Sequence, residues 1–324
     1  MNPTLQALKD RAGVHFAYDR MAMDAQPSMI TASNAGIPAF LTNYISPDTI
    51  KVLLAPMKAA QILGEKQFGD WTTATATFPM IELTGEVSSY GDFNNNGSAG
   101  ANINLPQRQS YHYQTTSRWG EKQLDTFALA KVDYVNKIND ASILALNKFQ
   151  NKTYFFGVAG LQNYGLLNDP ALSAPITPTA AWSLDSTTAE TVYNDIKRLF
   201  ARVMAQGNGN IDMDAKMVLV TSPTTSVAFT KTNQYNVNVK DLIAKNFPNM
   251  RFETAPEYST ASGELVQLIV EEVEGQKTAT CAFTEKLRAH RVIPDTSSWI
   301  QKKSQGTFGT VVYLPFAIVQ MLGV

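Results

Sequence analysis

Alternation of apolar and polar positions dominates the stretch from Trp71 to Trp119, and it gives way to a helical period beyond Lys122. The outgoing segment, WTTATATFPMIELTGEVSSY, sets Thr73, Thr75 and Thr77 against Ala74, Ala76 and Phe78, which predicts a strand. Turn chemistry fills Gly91 to Gly100, GDFNNNGSAG. The return from Ala101 to Trp119 alternates again, with Gln107, Gln109, Tyr111 and Tyr113 on one side and Arg108, Ser110 and His112 on the other. This predicts a long polar ribbon. A two-stranded ribbon has no core of its own, so it is expected to rest on another copy of the chain. From Lys122 to about Asn151, Leu124, Ala128, Val135, Ile138, Ala145 and Phe149 recur near every 3.6 residues with no proline between them. That predicts one uninterrupted spine helix, on the order of 45 Å long.

Elsewhere the pattern is more broken. Asn2 and Pro3 open a short helix, and Asp24 to Ala39, with Pro27, Gly36 and Pro38, has no period and reads as an extended arm. Ser46 and Pro47 begin another short helix in a globular segment, Asn43 to Gly69. Pro170, Pro175 and Pro178 mark residues 157–183 as loop. Thr187 with Glu190 has the spacing of a capping box for a helix carrying Val192, Ile196, Leu199, Phe200 and Val203. Lys216 to Thr221 reads as a buried strand, Ser222 and Pro223 start a helix, and Asn238 caps another. Strands at Arg251 to Thr254, Leu265 to Glu271 and Thr278 to Phe283 complete a mixed subdomain. The last stretch, QGTFGTVVYLPFAIVQMLGV, is apolar enough to belong in a sheet.

Composition sharpens this picture. With 44% hydrophobic but only 17% charged residues, the surface must be covered largely by Thr, Asn, Ser and Gln, which suits contact with neighbouring proteins. A net charge of −1 gives no basic excess of the kind that marks nucleic acid as principal ligand. No apolar run is long enough for a signal peptide or for the ~18 residues of a membrane span. Cys281 is the only cysteine, so neither an intrachain disulfide nor a cysteine zinc cluster is expected.

Candidate chemistry is sparse. His15, His112 and His290 fall in different predicted elements without metal-ligand spacing, and each reads as a surface or edge histidine. Cys281, inside TATCAF, reads as a buried thiol. Asp212 and Asp214 lack the glycine and closing glutamate of a calcium loop. Gly91, Gly97 and Gly100 do not make a dinucleotide fingerprint, and no GxxxxGK[ST] occurs. No catalytic residue, cofactor or metal is expected, and the features present favour assembly over catalysis.

The order of arm, ribbon, spine helix, mixed subdomain and apolar terminal strand resembles the major capsid proteins of tailed bacteriophages. FPMIELTGEVSSYGDFNNNGSAGANINLPQRQSYHYQTTSRWGEKQLD is similar to that family's extended loop running into its spine, and GTVVYLPFAIVQMLGV to its terminal peripheral strand. The resemblance implies an α+β, Hong Kong 97-like fold: an N-terminal arm (1–40), part of a peripheral domain (41–80), an extended loop hairpin (81–119), the long spine helix with more peripheral domain (120–180), an axial domain (181–290) and C-terminal peripheral strands (291–324).

It also implies self-assembly into hexamers and pentamers of an icosahedral shell around double-stranded DNA, each ribbon lying across a neighbour. Candidate intersubunit contacts are Tyr90, Phe93, Asn95, Arg108, Tyr111, Tyr113 and Arg118. Scaffolding, portal and decoration proteins are further partners of such a shell, with a virion location, synthesis in the host bacterial cytoplasm and no membrane. Lys9, Arg11 and Arg20 are candidates to face DNA. Some family members weld their shells through a lysine on the extended loop. No lysine lies between Glu82 and Glu121, so a non-covalent shell is expected. Only about 40 residues precede the first globular segment, so any scaffold is expected to be a separate protein or a part outside this sequence. The competing readings are a nanocompartment shell of the same fold around an enzyme cargo, a tail or surface-array protein, and an α/β enzyme with an unrecognised site.

Overall fold

In the computed structural model the described residues are 56–129 and 133–324, so the predicted Asn2 helix, the arm at Asp24 to Ala39 and the Ser46 helix start lie outside them. A short helix α1 (Ala59–Leu63) leads to β1 (Glu65–Gln67). The ribbon follows as two ladders: β2 (Thr75–Thr77) pairs with β5 (Gln107–Gln109), and β3 (Met80–Glu86) with β4 (Ser98–Asn104). The ribbon is shorter than its alternation predicts. Its return strand breaks at Ser110, and β6 (Tyr111–Gly120) leaves for a different partner. Period-two alternation shows that a strand forms and on which face each residue sits, but it is blind to which strand pairs with it.

The predicted single spine is two helices, α2 (Glu121–Leu129) and α3 (Tyr134–Phe156). Asp133 is the reason α3 begins afresh: its carboxylate accepts from the backbone N–H of Asn136, the capping bond of a helix start. At 1.5 Å per residue α3 is about 34 Å long, and it runs five residues past the predicted end before Gly157 turns the chain.

The mixed subdomain comprises α4 (Ala189–Gln206), β7 (Met217–Thr221), α5 (Pro223–Ser226), α6 (Val239–Asn246), β8 (Met250–Thr254), β9 (Ser259–Thr260), β10 (Gly263–Val270), β11 (Glu272–Val273) and β12 (Gln276–Lys277). The capping box shifts by one residue: Thr188 caps α4 by accepting from Thr191 N–H, while Thr187 Oγ1 donates to the Ala181 carbonyl. Asn238 is the N-cap of α6, but its side chain makes no capping bond.

Two long strands close the chain, β13 (Ala279–Asp295) and β14 (Ser298–Val312), followed by β15 (Ile318–Leu322). The predicted strand Thr278 to Phe283 is therefore only the head of β13. One sheet has the order β1-β13-β14-β6; the other runs β15-β10-β7-β8, with β7 and β8 parallel. The terminal strand β15, grouped from sequence with peripheral strands, pairs with β10, where Ile318, Val319 and Met321 are buried. The boundary drawn at residue 290 cuts through β13.

Alternation along β7 explains how the second sheet holds the molecule together. Met217 and Leu219 face a core with Val192, Ile196, Leu199 and Val203 of α4, and Val218 and Val220 face a second core with Tyr154 and Phe155 of α3. Each such fully buried side chain contributes roughly 1.5–3 kcal/mol. The cores are joined to the first sheet at a bulge where Gly309 has φ +74° and a Cβ would lie 2.3 Å from the Tyr164 carbonyl oxygen. Only glycine fits that approach.

Candidate intersubunit surface

Phe78 roots the ribbon. It is buried among Ala282, Phe308 and Val311, stacks edge-on with Phe68 at 5.2 Å, and its N–H donates to the Pro106 carbonyl. Beyond this plug every residue of β3 and β4 is exposed. The ribbon is not uniformly polar, as its sequence suggested. Register pairs Ile81 with Ile103 and Leu83 with Ala101 on one face, and Glu82 with Asn102 and Glu86 with Ser98 on the other. One face is apolar and the opposite face is acidic. Leu83 is 83% exposed, an isolated hydrocarbon surface that water disfavours.

The seven candidate contact residues divide into two groups. Tyr90, Phe93 and Asn95 sit at the tip; Phe93 is fully exposed, and Tyr90 donates its hydroxyl to Asp92 Oδ1 at 3.0 Å. The other four have partners within their own chain. Arg108 Nη2 reaches the buried Asp169 Oδ2 at 2.7 Å and stacks over Tyr164 at 4.8 Å. Tyr113 lies 4.5 Å from Phe149 and donates to Gln305 Oε1 at 2.7 Å, with Tyr111 beside it. Burial first, and the nearby Glu65 charge second, push the Tyr113 phenol far above its ordinary value. Arg118 meets Asp295 at 3.3 Å with both side chains largely exposed. The base of the ribbon thus rests on its own chain, and the distal ladder and tip have no intrachain support among the described residues.

Residues that looked unrelated in sequence converge. His112 and His290 both flank the Trp71 indole, at 4.6 and 6.3 Å, with the Arg288 guanidinium over the same ring at 5.2 Å. Sequence spacing could not show this, because the turn at Trp71 and the two strands involved, β6 and β13, are distant in the chain. His15, Lys9, Arg11 and Arg20 lie outside the described residues. Cys281 is fully buried, and burial pushes its thiol well up, so no reactive thiolate forms there. Asp212 and Asp214 stand in a turn, and among the described residues no cluster of His, Cys, Asp and Glu is placed to hold a metal. No helix among them is long and apolar enough to cross a membrane.

A second polar node lies where α1, α3 and the mixed subdomain meet. Asn151 accepts from Ala59 N–H at 3.1 Å through Oδ1 and donates to Glu257 through Nδ2. Burial raises the Glu257 carboxyl above its ordinary value, and its second oxygen has no partner. The arrangement joins three elements of the fold through one side chain.

Comparison with known proteins agrees with this geometry. A family model described as Pa193 gp26 major capsid protein matches residues 28–323. No curated protein matches the chain. Among solved structures, the capsid of Myoviridae phage XM1 is similar with a TM-score of 0.75 at 15% identity, covering 89% of this chain and 99% of that one. The capsid of a native GTA particle gives 0.60 at 13% identity, covering 91% and 99%. A virus-like particle from Pyrococcus furiosus gives 0.52 at 9% identity, covering 81% and 90%.

Proposed function

Because the chain belongs to the Pa193 gp26 major capsid protein family, a family of virion shell proteins and not of enzymes, we propose that its copies close into an icosahedral shell of hexamers and pentamers around packaged double-stranded DNA, held without covalent welds. The observation that carries this reading is the β3–β4 ribbon, whose two faces are fully exposed and chemically distinct. Burying the Ile81, Leu83 and Ile103 side chains against other copies contributes roughly 25 cal/mol per Å² of apolar surface. Many such modest contacts add up through closed symmetry. The absence of lysine from Glu82 to Glu121 supports the non-covalent form. Scaffolding, portal and decoration proteins act with it, and synthesis takes place in the host bacterial cytoplasm. A cargo-enclosing nanocompartment and an α/β enzyme are not favoured by the family match.

Purified protein under assembly conditions is expected to give closed icosahedral particles in negative-stain images, and mature particles to run as a single subunit band on a denaturing gel. Tubes, flat lattices or a persistent monomer would count against the shell, and a ladder of multimers against its non-covalent form. Deleting Phe93 to Ala99 should leave the subunit fold intact and impair assembly.

A further inference from the structure

The second sheet leaves a cavity where its two parallel strands end. β7 and β8 stop side by side at Thr221 and Thr254, and α6, the helix that leads from one to the other, begins at the same end. In parallel α/β arrangements ligands sit at this end, because helix N-termini point there with unpaired amides. The cavity measures about 370 Å³, a size that holds a small organic molecule.

Its walls follow from strand alternation. Met217 and Leu219 face the α4 core, and Thr221 is the next residue on that face, opposite Thr254 in register. Phe229 and the half-buried Phe252, edge to face at 5.4 Å, form an apolar wall beside them. Thr221 is 1% exposed, and its hydroxyl has no hydrogen-bond partner among the described residues. Ser226 and Thr230, on the same wall, instead donate to the Pro223 and Val227 carbonyls, both at 2.7 Å. A buried hydroxyl left unpaired is a cost to the fold, and a ligand in the cavity that met it would remove that cost.

The mouth supplies donors. Val239 N–H is taken by the Lys231 carbonyl at 3.1 Å. With no side chain capping α6, the next two N–H groups, on Lys240 and Asp241, stay free among the described residues. The exposed Lys240 holds its Nζ 6.0 Å from the Phe252 ring and pairs with no carboxylate among the described residues. Of the two lining acids, Glu253 stands in register with Val220 and so turns to the opposite face of the sheet, where Lys58 and Arg251 hold it at 3.4 and 3.2 Å. Asp241, exposed in the first turn of α6, is the negative group left beside the free amides.

We propose that this cavity binds a small monocarboxylic acid with a flat apolar body, its carboxylate on the α6 amides, Lys240 and Thr221 and its body against Phe229 and Phe252. One cation and a helix N-terminus, offset by Asp241, suit a single negative charge better than the double charge of a phosphate ester. The phenyl wall selects against a bare inorganic anion, which would lose water there and gain no partner. The site is independent of the ribbon and of any contact between copies.

Phenylacetate is the probe, titrated into the purified subunit and followed by calorimetry or two-dimensional NMR. It should saturate with a dissociation constant on the order of 1 mM or below. Phenethylamine, with the same ring and the opposite charge, and inorganic phosphate, with no ring, should each bind at least about tenfold more weakly. Thr221→Val should weaken phenylacetate binding about tenfold, while the ligand-free subunit melts with wild type or above it because the unpaired hydroxyl is gone. Lys240→Gln, a change at an exposed position that leaves the fold alone, should weaken binding about threefold, and Asp241→Asn should tighten it by a similar factor. No saturation by phenylacetate, or equal affinity for phenethylamine, overturns the ligand class. Binding that both Thr221→Val and Lys240→Gln leave unchanged overturns the site.

Discussion

Replacing Arg108 by alanine separates an intrachain clamp from an intersubunit contact. Arg108 lies on β5 at the root of the ribbon, 2.7 Å from Asp169, whose side chain is 0% exposed while that of Arg108 is 13% exposed. The second Asp169 oxygen accepts from Ala171 N–H at 3.0 Å, so the carboxylate belongs to the turn that closes the loop after α3. Truncation strands a buried negative charge, which costs about 3–5 kcal/mol, and removes the stacking over Tyr164 at 4.8 Å. For a chain of this size the loss corresponds to a melting temperature lower by on the order of 10 °C. Arg108→Lys keeps the charge but loses the planar fork, so an intermediate loss of about half is expected. The assay is thermal or urea unfolding of the unassembled subunit at low concentration. If Arg108→Ala melts with wild type while assembly fails, the clamp is refuted and Arg108 acts between copies.

Four further outcomes are expected. Leu83→Asp should leave the isolated subunit's unfolding unchanged, since the side chain is already in water, and should suppress particle formation in light scattering. Gly309→Ala should fail to give soluble protein, because its Cβ meets the Tyr164 carbonyl at 2.3 Å and φ is +74°; normal expression would contradict the close approach. Because burial raises the Glu257 carboxyl, the folded state binds its proton more readily than the unfolded state. Stability should therefore rise as pH falls through that raised value and level off below the unfolded value near 4.5. Unfolding of wild type against Glu257→Gln across this range should show that slope vanish in the variant. Cys281 should resist thiol reagents in the native subunit and react only on unfolding.

The parts of the fold legible in sequence were those whose burial follows a simple period. α4 and β7 were found because Val192, Ile196, Leu199 and Val203, and the run Met217 to Val220, meet apolar cores with no exceptions. The long β13–β14 pair was largely hidden for two physical reasons. Its ladder shifts register at four places between Ala282 and Val292, which destroys alternation. Its buried residues include Lys303, Ser304, Gln305, Thr307 and Thr310, held by side-chain hydrogen bonds to α3 and neighbouring strands, and by type alone these look like surface. The break before α3 depended on a single aspartate cap, a local bond that a helical period overrides in any window count. In the ribbon, the polar tip and the glutamines obscured that Ile81, Leu83 and Ile103 share a face. The first sheet required knowing that β6 neighbours β14, which sequence does not state.

The segregation of the ribbon, acid on one face and hydrocarbon on the other, has a consequence for how copies can meet. Two ribbons brought together acid face to acid face repel each other, which disfavours that dyad pairing. A ribbon laid on a different surface of a second copy makes a directional contact instead, in which one copy gives a surface and the other receives it. An association of that kind propagates head to tail and ends only when the rotation closes it into a ring.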